Sequence, residues 1–144
     1  MTFINLIFLH FTYREEEFKN VGKYNFDHPN AFDWPLMKET FKKICRHEDI
    51  MIPKYSYITC KREGGIKLKC TDFILFEGIF ALWDEEMRDM MDIKIFVHSD
   101  DDIRLLRRIE RDVSHRGRTI EGVLKSYNRF VKPSYDEFIK PVSF

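Results

Sequence analysis

Residues 73–97 read FILFEGIFALWDEEMRDMMDIKIFV, and this stretch decides the class of fold. Two short apolar runs, at 73–77 and 93–97, flank a helix predicted over about residues 82–91. Continuous apolar runs of this length are typical of strands that are buried on both faces of a parallel sheet. The first run ends in Glu77 before Gly78, so the carboxyl end of this strand is predicted to open onto a site. Strand, helix and strand in this order indicate an α/β fold with a parallel sheet.

The residues before this stretch predict a strand, a helix and a hairpin. The apolar run at the start of the sequence is too short to span a bilayer and predicts a buried strand over about residues 3–9. Asp33 is a capping residue and Pro35 suits a first turn, so a helix is predicted from Asp33 to about His47. Two short runs, at 56–60 and 66–70, predict a hairpin whose turn is formed by residues 61–65 with their pair of glycines.

The residues after the deciding stretch are predicted to be helical. A long basic helix is predicted to begin at residues 100–102 and to run to about Val113, before Gly117 breaks it. A second helix is predicted over about residues 120–131, and Pro133 is expected to end it.

The composition indicates one ordinary globular domain. The 144 residues include 24 basic and 24 acidic side chains, and 44% are hydrophobic. A formal net charge of zero argues against a general binder of nucleic acid or of acidic membranes. The three cysteines are spaced 15 and 10 residues apart, so neither a disulfide framework nor a zinc site is expected. Free thiols in a reducing cytosol are the simplest interpretation, and we therefore expect a cytoplasmic protein with no transmembrane segment.

Arginines concentrate between residues 103 and 132, where seven Arg and two Lys accompany three acids. Four of them fall at helical spacing and two more flank Gly117: Arg104, Arg107, Arg108, Arg111, Arg116 and Arg118. Guanidinium groups on a mobile segment suit a phosphate that gains charge in a transition state. A solvated basic face is the alternative. Nucleic-acid binding is a third interpretation, which the scarcity of interleaved aromatic residues disfavours.

Three further sets of residues carry candidate chemistry, each with a structural alternative. Glu77 at a strand end suits Mg²⁺, held directly or through water, but a helix cap or a surface acid is the alternative. Asp27 and His28 suit an acid/base pair, whereas a turn with Asx hydrogen bonding fits the same residues. Tyr55 and Tyr57 lie on one face of an extended chain, where they suit either a planar ring or ordinary packing.

The chain as a whole carries a series of specific motifs in a fixed order. They read YNFDHPNAFDW, IPKYSY, the hairpin, FILFEGIFAL, IKIFV, RRIERD, HRGR and FVKP. This series closely resembles the uridine-cytidine kinase family of P-loop kinases, over about residues 23–141. The resemblance implies a P-loop kinase-like parallel sheet with flanking helices and a small hairpin. It also implies that 1–144 is a single partial domain with a divergent N-terminus at 1–22.

The resemblance further implies an activity and the residues that support it. The reaction is transfer of the ATP γ-phosphoryl group to the 5′-hydroxyl of uridine or cytidine, with Mg²⁺, in pyrimidine salvage. The arginines implied at phosphate are Arg111 and Arg116, and Glu77 is implied near the metal. The residues implied at the nucleoside site are Phe26, Asp27, Tyr55, Tyr57, Arg108 and Arg118. The resemblance also suggests a homo-oligomer or assembly with a full-length kinase, and from the charge we expect neither nucleic acid nor a membrane as a partner.

The sequence departs from the family pattern at the phosphate loop and at the general base. The pattern GxxxxGK[ST] is missing, since Gly22-Lys23 has Glu17 at the first glycine position and Tyr24 at the last. No Asp precedes Asp27, so the catalytic residue is unknown. We expect the central phosphate-loop strand and the last strand to be missing, as in a fragment, a shortened gene model or a degenerate copy. The 144 residues alone are then expected to be inactive. The alternative is a catalytically dead paralogue that binds nucleoside or assembles with a full-length kinase.

Overall fold

A computed structural model describes residues 2–5, 24–56 and 61–143, which fall into two units divided between Lys94 and Ile95. The described part of the first unit contains four strands and two α-helices, and the regular elements described in the second unit are all helical. Among the described residues, no helix is long and apolar enough to cross a membrane. The single domain expected over 1–144 stays a prediction.

The helix predicted to begin at Asp33 is confirmed. Helix α1 covers Trp34–Cys45, and the Asp33 side chain accepts a hydrogen bond from the backbone N–H of Leu36 at 3.2 Å. Its inner face buries Met37 and Phe41. The helix ends two residues before the predicted His47, because His47 adopts a left-handed backbone conformation with φ of 58°.

The predicted hairpin is present, but its predicted turn is wrong. Strand β2, Ile50–Ser56, pairs antiparallel with strand β3, Lys61–Leu68, so the glycine pair lies inside a strand. Gly65 faces Pro53, and the pairing shifts by one residue before Tyr55. Gly64 has a φ of 74°, which is typical of a bulge that glycine accommodates without a steric penalty. Residues 57–60, which connect the strands, lie outside the described residues.

The strand predicted at 73–77 is confirmed over Ile74–Glu77, which forms β4. It pairs in parallel with β1, Thr2–Asn5, from Thr2 opposite Ile74 to Asn5 opposite Glu77. The predicted burial of both faces is wrong. Leu75 is 42% exposed, and partly buried and exposed residues alternate along the strand. The rest of the strand predicted over residues 3–9 lies outside the described residues.

The strand predicted at 93–97 is wrong. These residues have no regular secondary structure, and Ile93, Ile95 and Val97 are 78%, 72% and 86% exposed. No strand among the described residues pairs with them. An apolar run becomes a strand only where a neighbour completes its backbone hydrogen bonds, and the run itself does not specify that neighbour. The helix predicted over 82–91 is shorter than expected and forms α2, Glu85–Asp89, capped by Asp84.

Aromatic rings and aliphatic side chains form the core of the first unit. The rings of Phe32 and Phe80 meet edge to face with centroids 5.4 Å apart, and both side chains are almost completely buried. Ile50 and Ile52 of the hairpin form a second cluster against which Phe76 packs. Lys38 of α1 contacts Asp84 at 2.9 Å, which adds an ion pair between α1 and the cap of α2.

The second unit begins with α3, Asp101–Arg116, which extends the predicted basic helix by three residues. Gly117 ends it with φ of 61°, as predicted, and α4 covers Ile120–Ser126. Pro133 does not end the helical path, so that prediction is wrong. The path continues through a π-helical turn at Tyr127–Val131, α5 at Lys132–Ser134, a π-helical turn at Tyr135–Ile139 and a 3₁₀ turn at Lys140–Val142. Wider π turns re-route the backbone hydrogen bonds around a proline, which has no N–H to donate.

We expect Phe80→Ala to lower the free energy of unfolding by about 3–5 kcal/mol, because it leaves a cavity in a filled core. Phe73→Ala is the matched control, since Phe73 is 74% exposed, and it should cost less than about 0.5 kcal/mol. Urea unfolding followed by circular dichroism measures both. Equal losses would contradict the assignment of the core to Phe80.

We expect Gly117→Ala to cost about 1–2 kcal/mol of stability, because an alanine is strained in a left-handed backbone conformation. A Cβ atom at this position would meet no other atom within 4 Å, so the cost comes from the backbone alone. Gly117→Asn should cost less, since Asn tolerates this conformation better. Thermal unfolding compares the two variants, and an equal loss would indicate a steric cause instead.

Candidate functional site

Local hydrogen bonds fix the segment that carries Asp27. The side-chain oxygen of Asn25 accepts a hydrogen bond from the Asp27 N–H at 3.0 Å, which confirms the Asx turn considered from the sequence. The Nδ1 atom of His28 accepts from the Asn30 N–H at 3.1 Å and caps the 3₁₀ turn Pro29–Ala31. The Trp34 ring then donates to the Pro29 carbonyl at 2.8 Å. Asp27 therefore lies on a turn whose backbone is held by several local hydrogen bonds.

The structure describes only some of the other residues that are predicted at the nucleoside in the first unit. Phe26 is half-buried and packs edge to face on Tyr24, with ring centroids 5.2 Å apart. Tyr55 lies in β2 opposite Arg62 of β3. Tyr57 lies outside the described residues, so the pair of tyrosines predicted at the base stays a prediction.

An open hollow and an ion pair lie beside the hairpin, and the sequence did not indicate either of them. The hollow has a volume of about 460 Å³ and is lined by Leu36, Met51, Pro53, Gly64 and Gly65. A Cβ atom at Gly65 would lie 2.9 Å from the Met51 sulfur, so a larger residue there would displace the Met51 side chain.

The ion pair joins the hairpin to the start of α1. The Nη1 atom of Arg62 donates to the Asp33 carboxylate at 3.2 Å, and both side chains are about four-fifths buried. Asp33 thus caps α1 and anchors β3 with the same carboxylate. The sequence signal was the capping residue alone, because Arg62 fell in the predicted turn.

Glu77 is the candidate for the metal. It is the last residue of β4, and its side chain is exposed. The part of the chain that the structure describes contains no group of three or more His, Cys, Asp or Glu side chains that could hold a metal ion. Mg²⁺ in kinases uses one or two protein carboxylates together with water and substrate phosphate. A carboxylate at this strand end fits that mode of coordination.

The arginines of the second unit gather around one acid that the sequence did not single out. The Asp112 side chain is completely buried. Its Oδ1 atom lies 2.8 Å from the Nε of Arg111 and 3.3 Å from an Nη of Arg116. Its Oδ2 atom lies 3.8 Å from both the Nε of Arg108 and an Nη of Arg118. We call these five residues the arginine cluster.

The helix and its end explain why these side chains meet. Arg108 and Arg116 lie four residues before and after Asp112, which places them on its face of α3. The left-handed turn at Gly117 reverses the chain, so that the backbone N–H of Arg118 reaches the Asp112 carbonyl at 3.1 Å. Both the carbonyl and the carboxylate of Asp112 therefore organise the end of α3.

The positive charges of the arginine cluster act on the pKa of its acid. Burial by itself raises the pKa of Asp112, but the hydrogen bond from Arg111 and the surrounding positive charges outweigh it and hold this pKa below its ordinary value. Four guanidinium groups and one carboxylate give the cluster a formal charge of +3. Arg111, Arg116 and Arg118 are each about half exposed, so they present donors to solvent. This arrangement can bind a compact anion.

Arg104 has a different environment, although the sequence placed it on the same helical face. Its guanidinium group contacts Asp101 and stacks 3.6 Å above the ring of Tyr135. A cation–π contact of this kind is worth about 0.5–2 kcal/mol and packs the start of α3 against the C-terminal helical turns. Arg104 thus belongs to the packing of the second unit.

Comparison with known proteins gives the chain its family. The family model described as PRK, Phosphoribulokinase / Uridine kinase family, matches residues 4–143. Uridine-cytidine kinase A of Dictyostelium discoideum is 50% identical over 122 residues, which cover 84% of this chain and 24% of that protein. The uridine kinase of Lactobacillus johnsonii is 44% identical over 120 residues, which cover 83% of this chain and 57% of that protein. The chain thus spans between a quarter and somewhat over half of the length of these relatives.

A solved structure shares the fold at low sequence identity. It is described as a putative fructose transport system kinase from Silicibacter sp. TM1040, and the two match with a TM-score of 0.68 at 17% identity. The match covers 88% of this chain and 63% of that chain. The family model extends over almost the whole sequence, and the fold agrees with it, so this chain belongs to the phosphoribulokinase / uridine kinase family.

Proposed function

We propose that this chain supplies the nucleoside-binding and phosphate-binding residues of a kinase that phosphorylates the 5′-hydroxyl of uridine or cytidine with ATP. The observation that carries the proposal is the arginine cluster, with its formal charge of +3 and its half-exposed guanidinium groups. Phosphoryl transfer requires little covalent chemistry from the protein and depends on positioning and on positive charge at the phosphates. In this proposal Arg111 and Arg116 bind phosphate, and Arg108 and Arg118 bind the nucleoside.

The ribose is proposed to bind at Asp27. A carboxylate can accept hydrogen bonds from two neighbouring hydroxyl groups, which is the arrangement that a ribose diol presents. The hydrogen-bonded turn around Asp27 supports this role, because a backbone that is already fixed loses little conformational entropy when the ligand binds. Phe26 is proposed to pack beside the ribose, and Tyr55 and Tyr57 to contact the pyrimidine ring.

ATP and Mg²⁺ are the proposed cofactors. When bound, Mg²⁺ would offset the negative charge of the phosphate groups. Glu77 would hold it, together with water and phosphate oxygens, at the carboxyl end of β4.

A second candidate function is a nucleoside-binding protein without phosphoryl transfer of its own. The sequence favours it at two places, since it carries no GxxxxGK[ST] segment and no aspartate before Asp27. In this case the chain would act as a homo-oligomer or assemble with a full-length kinase. Nucleoside binding is common to both candidates, and turnover distinguishes them.

The first experiment therefore measures uridine binding to the 144-residue protein by calorimetry. Asp27→Asn should weaken uridine binding about 10- to 100-fold, because it replaces a charged hydrogen-bond acceptor with a neutral amide of similar size. Asp72→Asn is the matched control, since Asp72 is an exposed acid in the same unit, and its affinity should stay within about twofold of the unchanged protein. An unchanged affinity in Asp27→Asn would reject the ribose role.

Turnover is measured on the same protein as ADP formed from ATP and Mg²⁺ in the presence of uridine. ADP formation that depends on the nucleoside would support the kinase candidate for these residues alone. Uridine binding without ADP formation would support the second candidate. A protein that neither binds uridine nor forms ADP would reject both.

A further inference from the structure

We propose that Asp112 is a positioning residue that holds the phosphate-binding and nucleoside-binding arginines at fixed positions relative to each other. One carboxylate contacts both sets, and each of its oxygens contacts a different one. The Oδ1 atom contacts Arg111 and Arg116, for which we propose phosphate binding. The Oδ2 atom lies 3.8 Å from both Arg108 and Arg118, for which we propose nucleoside binding. The identity of the ligands in this inference rests on the proposed function, whereas the contacts of Asp112 are those of the structure.

The burial of Asp112 distinguishes it from the exposed acids of the same helix. Its carboxylate has no exposed surface, and Oδ2 is buried without a hydrogen-bond partner. Burial of a charge costs several kcal/mol unless nearby opposite charges offset it. The guanidinium groups provide that offset, so the positions of the arginines and the burial of Asp112 depend on each other.

Positioning has a physical benefit for an arginine that binds phosphate. The arginine side chain loses rotamer entropy when it becomes fixed, and this loss is among the largest of any side chain. A carboxylate that already holds the guanidinium group removes part of this cost from the binding step. It also reduces the repulsion among four positive charges on adjacent turns. The exposed half of each guanidinium group stays available to the ligand.

A simple counter-ion is the competing role, and it predicts the opposite effect on affinity. A counter-ion competes with phosphate for the arginines, so its removal strengthens phosphate binding. A positioning residue prepares the arginines for phosphate, so its removal weakens binding. The backbone carbonyl of Asp112 accepts the hydrogen bonds that end α3, so a side-chain substitution leaves those bonds in place. The sign of the change therefore separates the two roles.

The experiment uses the 144-residue protein and inorganic tripolyphosphate as the probe in calorimetry. Asp112→Asn should weaken tripolyphosphate binding at least about tenfold, because the guanidinium groups lose their charged partner. Asp136→Asn is the matched control, because it removes the same charge from the same unit. Asp136 pairs with Lys132 and not with the arginine cluster, so this variant should bind tripolyphosphate as tightly as the unchanged protein. Circular dichroism checks that each variant is folded. Unchanged or tighter binding in folded Asp112→Asn would overturn the proposal.

A second variant keeps the proposal testable if Asp112→Asn does not fold. Asp112→Glu retains the charge but moves the carboxylate by one methylene group. A counter-ion role predicts unchanged affinity, whereas positioning predicts a loss of several-fold. Unchanged affinity in this variant would overturn the proposal.

A direct readout of the side chains separates this inference from the proposed function. Arginine Nε–Hε signals in nuclear magnetic resonance should be dispersed and protected for Arg111 in the unchanged protein, because its Nε donates to Asp112. In Asp112→Asn, the Arg111 signal should shift to the position of a freely rotating arginine side chain. Dispersed signals without tripolyphosphate binding would reject the phosphate role and retain the positioning of the arginines. Averaged signals in the unchanged protein would overturn the positioning itself.

Discussion

A buried carboxylate among four guanidinium groups is the interaction on which the second unit depends. An isolated charge inside a protein is costly, so Asp112 is stable in the interior only while its arginines surround it. The left-handed turn at Gly117 is part of the same arrangement, because an ordinary continuation of α3 would carry Arg118 away from the carboxylate. The backbone and the side chain of Asp112 thus act at the same place, because its carbonyl accepts the bonds that end α3 and its carboxylate gathers the four charges.

The first unit achieves a fixed geometry by a different means. Its candidate ribose acceptor lies on a turn held by short-range bonds from Asn25, His28 and Trp34. The turn leads directly into Phe32, whose ring is buried against Phe80. Local hydrogen bonds therefore determine the shape of this segment, and aromatic packing fixes it to the core. The backbone that carries Asp27 is thus fixed by local bonds, and Asp27 is only partly buried, in contrast to Asp112.

The sequence predicted well the features that depend on neighbouring residues. The cap at Asp33 and the helix end at Gly117 are local, because the side chain or the φ angle that makes them belongs to the same few residues. The predictions at 61–65 and 93–97 failed because strand pairing is not local. The prediction at Pro133 failed for a different reason, since the π turn directly before it removes the conflict that the proline would create. The arginines were found as a set, but Asp112 was not, because burial cannot be read from spacing.

The arrangement of the arginines also favours a compact anion over an extended one. Four guanidinium groups converge on one carboxylate, with each within 3.8 Å of one of its oxygens. Duplex DNA carries one charge for about every 1.7 Å of its length, and a protein that follows it spreads its basic residues along a groove. A convergent cluster matches instead the charge of one phosphate group or of a short phosphate chain. The net charge of zero conceals this local excess, which becomes visible only where the charges of the second unit meet.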